Sequence, residues 1–413
     1  MFWEYIKRFT GKIMKIIYIH QYFRIPSMSG GVRSYQQAKR LVEDGHDVTI
    51  ITSDVKNSFK GWRKERYEGI NIHWISVPYN NNYGIIRRLV AFFKFTILSS
   101  FHMVTINCDK IIATSTPLTV VIPALVYKFF KNKPFIFEVR DVWPEVPIAL
   151  GIIKNKYTIQ LAYGLESMAY KHCDSIIALS PDMKESIVSR YNSCDVTVIP
   201  NASDIELFSE EGKSCSTDLV DKLHKIRSSH RKVIFYTGTF GTVNNLNYLI
   251  DLMRFSNGEI ACVIVGSGKE EEDLLERAHR NGVLNKCLYF VGRINKDELW
   301  IVHKLFDMSV STVLPIKELY ANSANKIFDA FASGTPIMIN HGGWLEKIIN
   351  DELCGIRLGS VPNEVEYKRL LSYLYCDSTM DLACKSSKRL GNTTFNRDVL
   401  YSKFLSVIES END

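Results

Sequence analysis

Lys326 and Asp329 stand three residues apart, following the polar residues Asn322, Ser323 and Asn325, in the stretch ANSANKIFDAFASGTPIMI (321–339). The apolar spacing that follows predicts a helix, and a helix start carries free backbone amides and the positive end of a dipole. With Ser323 or Asn322 as its cap and Asn325 and Lys326 in its first turn, this helix offers a seat for a diphosphate. Asp329 lies close to one turn further on, where its two oxygens can take the two hydroxyls of a ribose. A capped helix with a surface lysine and aspartate is the plainer alternative. Gly334, Thr335 and Pro336 end the helix before the next strand.

A second cluster sits in FEVRDVWPE (137–145), where Glu138, Arg140, Asp141 and Glu145 gather beside Trp143 and Pro144. Folding does not require three carboxylates and an arginine at the mouth of a sheet. They suit a site in which Arg140 holds an anion and Asp141 or Glu145 orients or deprotonates a hydroxyl. A surface ion-pair cluster is the alternative. Three strand-to-helix turns are rich in glycine. In PSMSGGVRS (26–34), Gly30 and Gly31 let backbone amides approach a phosphate and Arg33 adds a cation in the first helical turn, with a plain turn as the alternative. In YTGTFGTVNN (236–245), Gly238, Thr239 and Gly241 provide a matching approach, whereas Gly266 and Gly268 of VGSGKEEEDL (265–274) either do the same or simply make the turn. None has the GxGxxG spacing, which disfavours a dehydrogenase. Asp54 ends the second strand, where dinucleotide folds often place a ribose-binding acid, with a mere loop acid as the favoured reading.

The elements that must position these residues are legible as short apolar runs. KIIYIH, HDVTIITSD, NIHWISV, KIIATS, PFIFEV and SIIALS alternate with helix-like segments, the pattern of a parallel sheet covered on both faces. After VTVIPNASDIELF (196–208) and a polar stretch the pattern restarts with KVIFYTG, ACVIVGSG, CLYFVGR, DMSVSTV and TPIMIN. The expected class is α/β with two Rossmann-like doubly wound domains, 1–205 and 206–413, joined near 200–215. Helices after Val361 finish the second domain or cross back. Ligands of such folds sit at the carboxyl ends of the strands, so two facing domains are expected to form a central cleft.

At 413 residues and 46% hydrophobic the chain exceeds what one core usually serves. A net charge of +6 does not by itself imply nucleic acid, and it is compatible with an anionic substrate or membrane surface. The nine cysteines form no CxxC pair and no zinc-like spacing with histidine, and no secretory signal is visible, so a reduced, cytoplasmic protein is expected. Two stretches suit a membrane surface. In residues 1–13, Phe2, Ile6, Phe9 and Ile13 recur at helical spacing opposite Lys7, Arg8 and Lys12; a frayed tail, or a start at Met14, is the alternative. In residues 85–104, Arg87, Arg88 and Lys94 accompany Phe92 and its aromatic neighbours, with an ordinary helix packed on a sheet as the alternative.

Taken in order, the early Gly-Gly loop, VIPNASDIELF, YTGTFG, VGSGKEEEDL, FVGR and the SANK-to-GTP block resemble the retaining GT-B glycosyltransferases of family 4, also called glycosyl transferases group 1. EVRDVWPE, NSANKIFDAFASGTP and GGW (342–344) resemble more narrowly the O-antigen and capsule branch that includes L-fucosamine transferases. The resemblance implies a nucleotide-sugar donor, UDP-linked by first choice and carrying an N-acetylamino sugar. Its diphosphate would lie on the amides of Gly238 to Gly241 and on Lys326, its ribose on Asp329, with Ser323 and Asn325 nearby and Gly30 and Gly31 closing over it. It further implies metal-independent transfer with retention, in which Lys326 neutralises the leaving group and Arg140, Asp141 and Glu145 position the reactants. An undecaprenyl diphosphate-linked saccharide at the cytoplasmic face of the inner membrane is the implied acceptor. Two residues depart from the family pattern: the first of its two glutamates falls on Ala321, leaving Glu318 as a substitute, and Arg140 stands where many relatives carry histidine. A nucleotide-sugar epimerase of the same architecture and a non-catalytic sugar-nucleotide-binding protein are the competing readings.

Overall fold

The computed structural model describes residues 12–28, 30–56, 58–80, 83–191, 195–208 and 215–410. The amphipathic stretch around Phe2, Ile6 and Phe9 lies outside the described residues. Contacts divide the chain into one unit of Met1–Pro200 with Tyr401–Asp413 and a second of Asn201–Leu400.

The first unit runs β1 (Lys15–Ile19), α1 (Arg33–Glu43), β2 (Asp47–Asp54), β3 (Trp62–Tyr67), β4 (Ile70–Ser76), α2 (Ile85–Val104), β5 (Lys110–Thr114) and α3 (Val121–Lys131). It continues through β6 (Phe135–Val139), α4 (Glu145–Ala149), α5 (Lys156–His172), β7 (Ser175–Ala178), α6 (Pro181–Arg190) and β8 (Val196–Val198). The eight strands lie in the order β3-β4-β2-β1-β5-β6-β7-β8. Only β3 is antiparallel, to β4; its residues WRKERY are the polar exception among otherwise apolar strands. The chain leaves β1 in one direction to β2 and returns to β5 on the other side, so the order reverses between β1 and β5.

The second unit runs α7 (Thr217–Ser229), β9 (Lys232–Thr239), α8 (Asn247–Met253), β10 (Ile260–Ser267), α9 (Glu271–Arg280), β11 (Leu288–Gly292), α10 (Leu299–Leu305) and β12 (Met308–Ser311). There follow α11 (Asn325–Ser333), β13 (Ile337–Ile339), α12 (Trp344–Glu352), β14 (Gly355–Arg357), α13 (Glu364–Leu374), α14 (Asp377–Asn392) and α15 (Arg397–Glu409). The parallel order is β11-β10-β9-β12-β13-β14, reversing between β9 and β12. Along β9 the side chains alternate between two cores: Ile234 and Tyr236 pack with Leu249, Ile250 and Ile264, and Val233 and Phe235 with Leu223, Val263 and Phe306. Each such large apolar side chain contributes about 1.5–3 kcal/mol on burial, so both faces of this strand must be covered. From Tyr401 onward α15 belongs to the first unit, where the Lys110 ammonium donates to the carbonyls of Ile408 (2.6 Å) and Ser410 (2.9 Å) and satisfies the helix's last turn.

Candidate functional site

In the second unit, the residues singled out around Lys326 and Gly238 meet at the reversal of strand order, where folds of this kind bind ligands. The loop after β9 and the helix after β12 come together there. Lys326, in the first turn of α11, is only 9% exposed. Its ammonium lies 4.5 Å over the Tyr236 ring and 3.4 Å from Asn244 Oδ1. Among the described residues no carboxylate forms a salt bridge with it. Burial lowers its pKa to about 8, with the charge of Asp329 partly opposing the shift. A buried ammonium with a ring face and an amide oxygen for company is a cation arranged for an anion from outside.

The loop around it is built by close approach. Gly238 has φ +151°, and a Cβ there would sit 2.8 Å from Tyr236 Oη and 3.4 Å from Lys326 Cε. A Cβ on Gly266 would fall 1.8 Å from the carbonyl oxygen of Gly238. Gly266 therefore serves the packing of β10 on β9, and Gly268 likewise abuts Phe240, a packing role that accounts for both glycines. Tyr236 Oη and Asn244 Nδ2 both donate to the carbonyl of Thr239, at 2.9 and 3.0 Å, and hold the turn in shape.

Several expected contacts are different in the structure. The Phe240 amide donates to the Ser267 carbonyl at the end of β10 and the Gly241 amide to the Thr239 carbonyl within the loop, so Gly241 does not offer its amide to a phosphate; Gly238 and Thr239 lie on the exposed end of β9. Neither Asn322 nor Ser323 caps α11. Ala324 occupies that position without a side-chain bond, and Ser323 instead receives the Asn201 amide (3.3 Å) and side chain (2.6 Å). The first-turn residues Asn325 and Lys326 thus lack a capping side chain, which keeps this helix start suited to an anion. Asp329, 6% exposed, has an ion-pair partner the sequence did not reveal, the Lys296 ammonium at 3.7 Å. Burial raises its pKa, against the lowering effect of Lys296 and Arg397. Ala321 is buried, while Glu318 is exposed in the short turn before it.

In the first unit the four residues of EVRDVWPE separate. Arg140 and Asp141 lie just past β6, beside the end of β5: the Arg140 amide donates to Ser115 Oγ (2.9 Å), and Asp141 accepts from Thr116 Oγ1 (2.6 Å). Arg140 Nη1 is 3.3 Å from Nε2 of His20, the residue that follows β1. Burial and the charge of Arg140 hold the His20 pKa well below its usual value. Neutral, with Nε2 accepting from a guanidinium that can only donate, His20 carries its proton on Nδ1, which has no partner among the described residues. Glu138 feels the charge of Arg140 but makes its bonds elsewhere. It is fully buried and bound by Arg33 Nε (2.9 Å), Tyr18 (2.9 Å) and Thr114 (2.7 Å). Arg33 is accordingly an internal ion-pair partner and not a free cation for the Gly30–Gly31 turn that precedes α1. Glu145 also departs: at the start of α4 it pairs with Arg190 and Ser186 of α6, with Glu166 on the other side of Arg190. The loop acid Asp54 binds Ser58 and the Lys56 amide, as expected of such a residue.

Tyr236, Asn244, Lys296 and His20 were not singled out as site residues. Tyr236 could have been, since it stands two residues before Gly238 on the same strand face. His20 closes the first apolar run, at the strand end where ligands gather. Lys296 comes from a distant element and carries no local signal.

Residues 30–207 match the family described as Glycosyltransferase Family 4, and residues 221–395 match Glycosyl transferases group 1. An uncharacterized glycosyltransferase of Methanocaldococcus jannaschii is 25% identical over 353 residues, covering 80% of this chain and 82% of that protein. Among solved structures, sucrose-phosphate synthase from Thermosynechococcus elongatus superimposes with a TM-score of 0.74 at 15% identity over 95% of this chain and 98% of that one. The Anabaena protein HepE in complex with UDP-glucose gives 0.68 at 15% identity over 96% and 100%. These likenesses show the fold, two α/β sheets of the GT-B type, parallel but for β3.

Proposed function

The chain belongs to the family 4 glycosyltransferases, nucleotide-sugar-dependent retaining enzymes, and from that premise we propose that it moves an N-acetylamino sugar from a UDP-linked donor to a hydroxyl of a lipid-linked saccharide. The observation that carries the donor side is Lys326, buried and, among the described residues, in no salt bridge with a carboxylate, Asp329 acting on it only through its charge. In this reading it takes the donor diphosphate with the start of α11 and the exposed end of β9, while Asp329 exchanges Lys296 for the ribose hydroxyls. The bond from the anomeric carbon to the phosphate oxygen breaks, and a bond from that carbon to the acceptor oxygen forms on the same face. The acceptor's proton passes to the departing diphosphate. Negative charge grows on the leaving group as the bond breaks, so a buried cation helps most in the transition state. Arg140 and Asp141 position the acceptor; Glu145, held by Arg190, has no part in it. The UDP choice is supported by the sugar nucleotide bound to HepE. The lipid-linked acceptor, the O-antigen or capsule pathway and the inner-membrane location follow the sequence resemblance.

The test is a transfer screen with UDP-, GDP- and dTDP-sugars, with and without a short lipid-diphosphate saccharide, read by mass spectrometry. A gain of one sugar on the acceptor from one donor is expected. Isomerised donor without acceptor would make the protein an epimerase, and nucleotide binding without turnover would make it a binding protein.

The pKa of Lys326 adds a pH prediction. The ammonium is charged below about pH 8 and is lost above it. The donor kcat/KM, which reports the free enzyme, should therefore fall as pH rises through that value, and kcat should hold to higher pH because bound diphosphate stabilises the charged form. Lys326→Arg should remove the alkaline limb, since guanidinium stays charged.

A further inference from the structure

The helix α2 is apolar on two opposite sides. Ala91, Phe95, Ser99 and Met103 face inward and are buried, whereas Ile86, Val90, Phe93, Ile97 and Phe101 form an outward stripe at helical spacing, with Phe101 76% exposed. A helix packed on a sheet normally turns charged and polar residues to water on that side. The sequence expectation named Phe92 and Arg88 for surface contact. Both are turned in: Phe92 stacks on Tyr79 at 5.9 Å, and Arg88 donates to the Tyr83 carbonyl at 3.0 Å.

The stripe does not stand alone. α2 packs beside α3, and α3 beside α5. The last turn of α3 presents Phe129, 83% exposed, and Phe130, 66% exposed. On α5, Tyr157, Leu161 and Met168 repeat the outward spacing, with Leu161 71% exposed. Single exposed apolar residues are ordinary, but a set shared by three neighbouring helices is the mark of an interaction face.

Charge selects the partner. α2 and α3 contain no aspartate or glutamate, and the one acid of α5, Glu166, is buried against Arg190. The exposed charges on the three helices are Arg87, Lys94, Lys131, Lys156 and Lys171. Two copies of such a face would repel one another, whereas a surface of anionic headgroups over acyl chains complements both its charge and its apolar residues. Among the described residues no helix is long and apolar enough to cross a membrane, so contact would be lateral.

We propose that α2, α3 and α5 together form a membrane-docking face that lies on anionic phospholipid. Phe93, Phe101, Phe129, Phe130 and Leu161 enter the boundary between headgroups and acyl chains, and the lysines and Arg87 reach the phosphates. The use of the face rests on the lipid-linked acceptor proposed above; the docking itself is read from these three helices.

The full chain should sediment with vesicles of one part phosphatidylglycerol to three parts phosphatidylcholine, and much less with phosphatidylcholine alone or at about 0.5 M salt. A Phe101→Ser/Phe129→Ser/Phe130→Ser variant should lose about tenfold or more in vesicle affinity. A Lys94→Glu/Lys131→Glu variant should lose about tenfold on the anionic vesicles and little on neutral ones. Both should melt as the wild type does and keep its rate on a water-soluble acceptor analogue, which separates failure of the docking face from failure of the transferase reading. Absence of vesicle binding, or binding that neither variant weakens, overturns the proposal. So does a stable dimer in solution that the phenylalanine variant dissociates, because the face would then be an interface between copies.

Discussion

Lys326→Ala is expected to lower kcat by about 100- to 1,000-fold, the usual cost of removing one preorganised group that stabilises transition-state charge. The structure gives reasons for expecting a loss concentrated in turnover. The ammonium is already fixed between the Tyr236 ring, 4.5 Å away, and Asn244, so no reorganisation is needed when the diphosphate gains charge. The ground-state donor has less charge to offer, so KM should change less than kcat. Stability should not fall with activity. A buried ammonium whose desolvation outweighs the opposing charge of Asp329 is a cost to the fold, and alanine removes it along with a lysine stem that packs near Gly238. The melting temperature should therefore stay level or rise. Lys326→Arg should fall between the two enzymes, because it keeps the charge but must fit a planar fork where Gly238 and Tyr236 leave room for a narrow stem. Steady-state kinetics with the donor and acceptor found in the screen, alongside thermal unfolding, make the comparison. Near-normal turnover in Lys326→Ala would remove this residue from the site.

Lys326 and Asp329 were legible because their relation is local: a helix start fixes which residues share a turn, whatever surrounds it. The same held for the apolar strands, whose β-branched runs name a parallel sheet without outside help. Relations made by distant elements were not legible. Four residues close together in EVRDVWPE suggest one cluster, yet Glu138 belongs to Arg33 of α1, Glu145 to Arg190 of α6 and Arg140 to His20 after β1. Ser323 looked like a helix cap until Asn201 claimed it. On α2 the spacing of both apolar stripes is present in the sequence, but which one meets the sheet is decided by neighbouring elements, and Phe92 fell on the inner side. The carboxylate that reads as a cleft residue and proves internal has the larger consequence for stability.

Arg33→Ala should destabilise the first unit by about 3–5 kcal/mol, the range for breaking a buried ion pair from one side. Glu138 is fully buried, and Arg33 is 8% exposed. The guanidinium does three jobs: its Nε binds Glu138 at 2.9 Å, Nη2 donates to the Ile199 carbonyl at 2.9 Å, and Nη1 donates to that of Pro200. Alanine leaves a buried carboxylate short of its nearest cation and strands two carbonyls. Burial alone would raise the pKa of Glu138; Arg33 and Arg140, with the Thr114 hydroxyl, overcome this and hold it at about 2. A carboxylate depressed below its unfolded value of 4.5 adds stability above that pH and loses it as pH falls toward 2. In Arg33→Ala the carboxyl protonates more readily, so the gap to wild type should be widest near neutrality and narrow in acid. Glu138→Gln in the Arg33→Ala background should recover part of the loss, because an amide costs less to bury unpaired than a charge. Denaturant unfolding of the single and double variants at neutral and mildly acid pH measures all three. A loss in Arg33→Ala that stays constant with pH, and that Glu138→Gln does not relieve, would assign the cost to the stranded carbonyls of Ile199 and Pro200 and not to the ion pair.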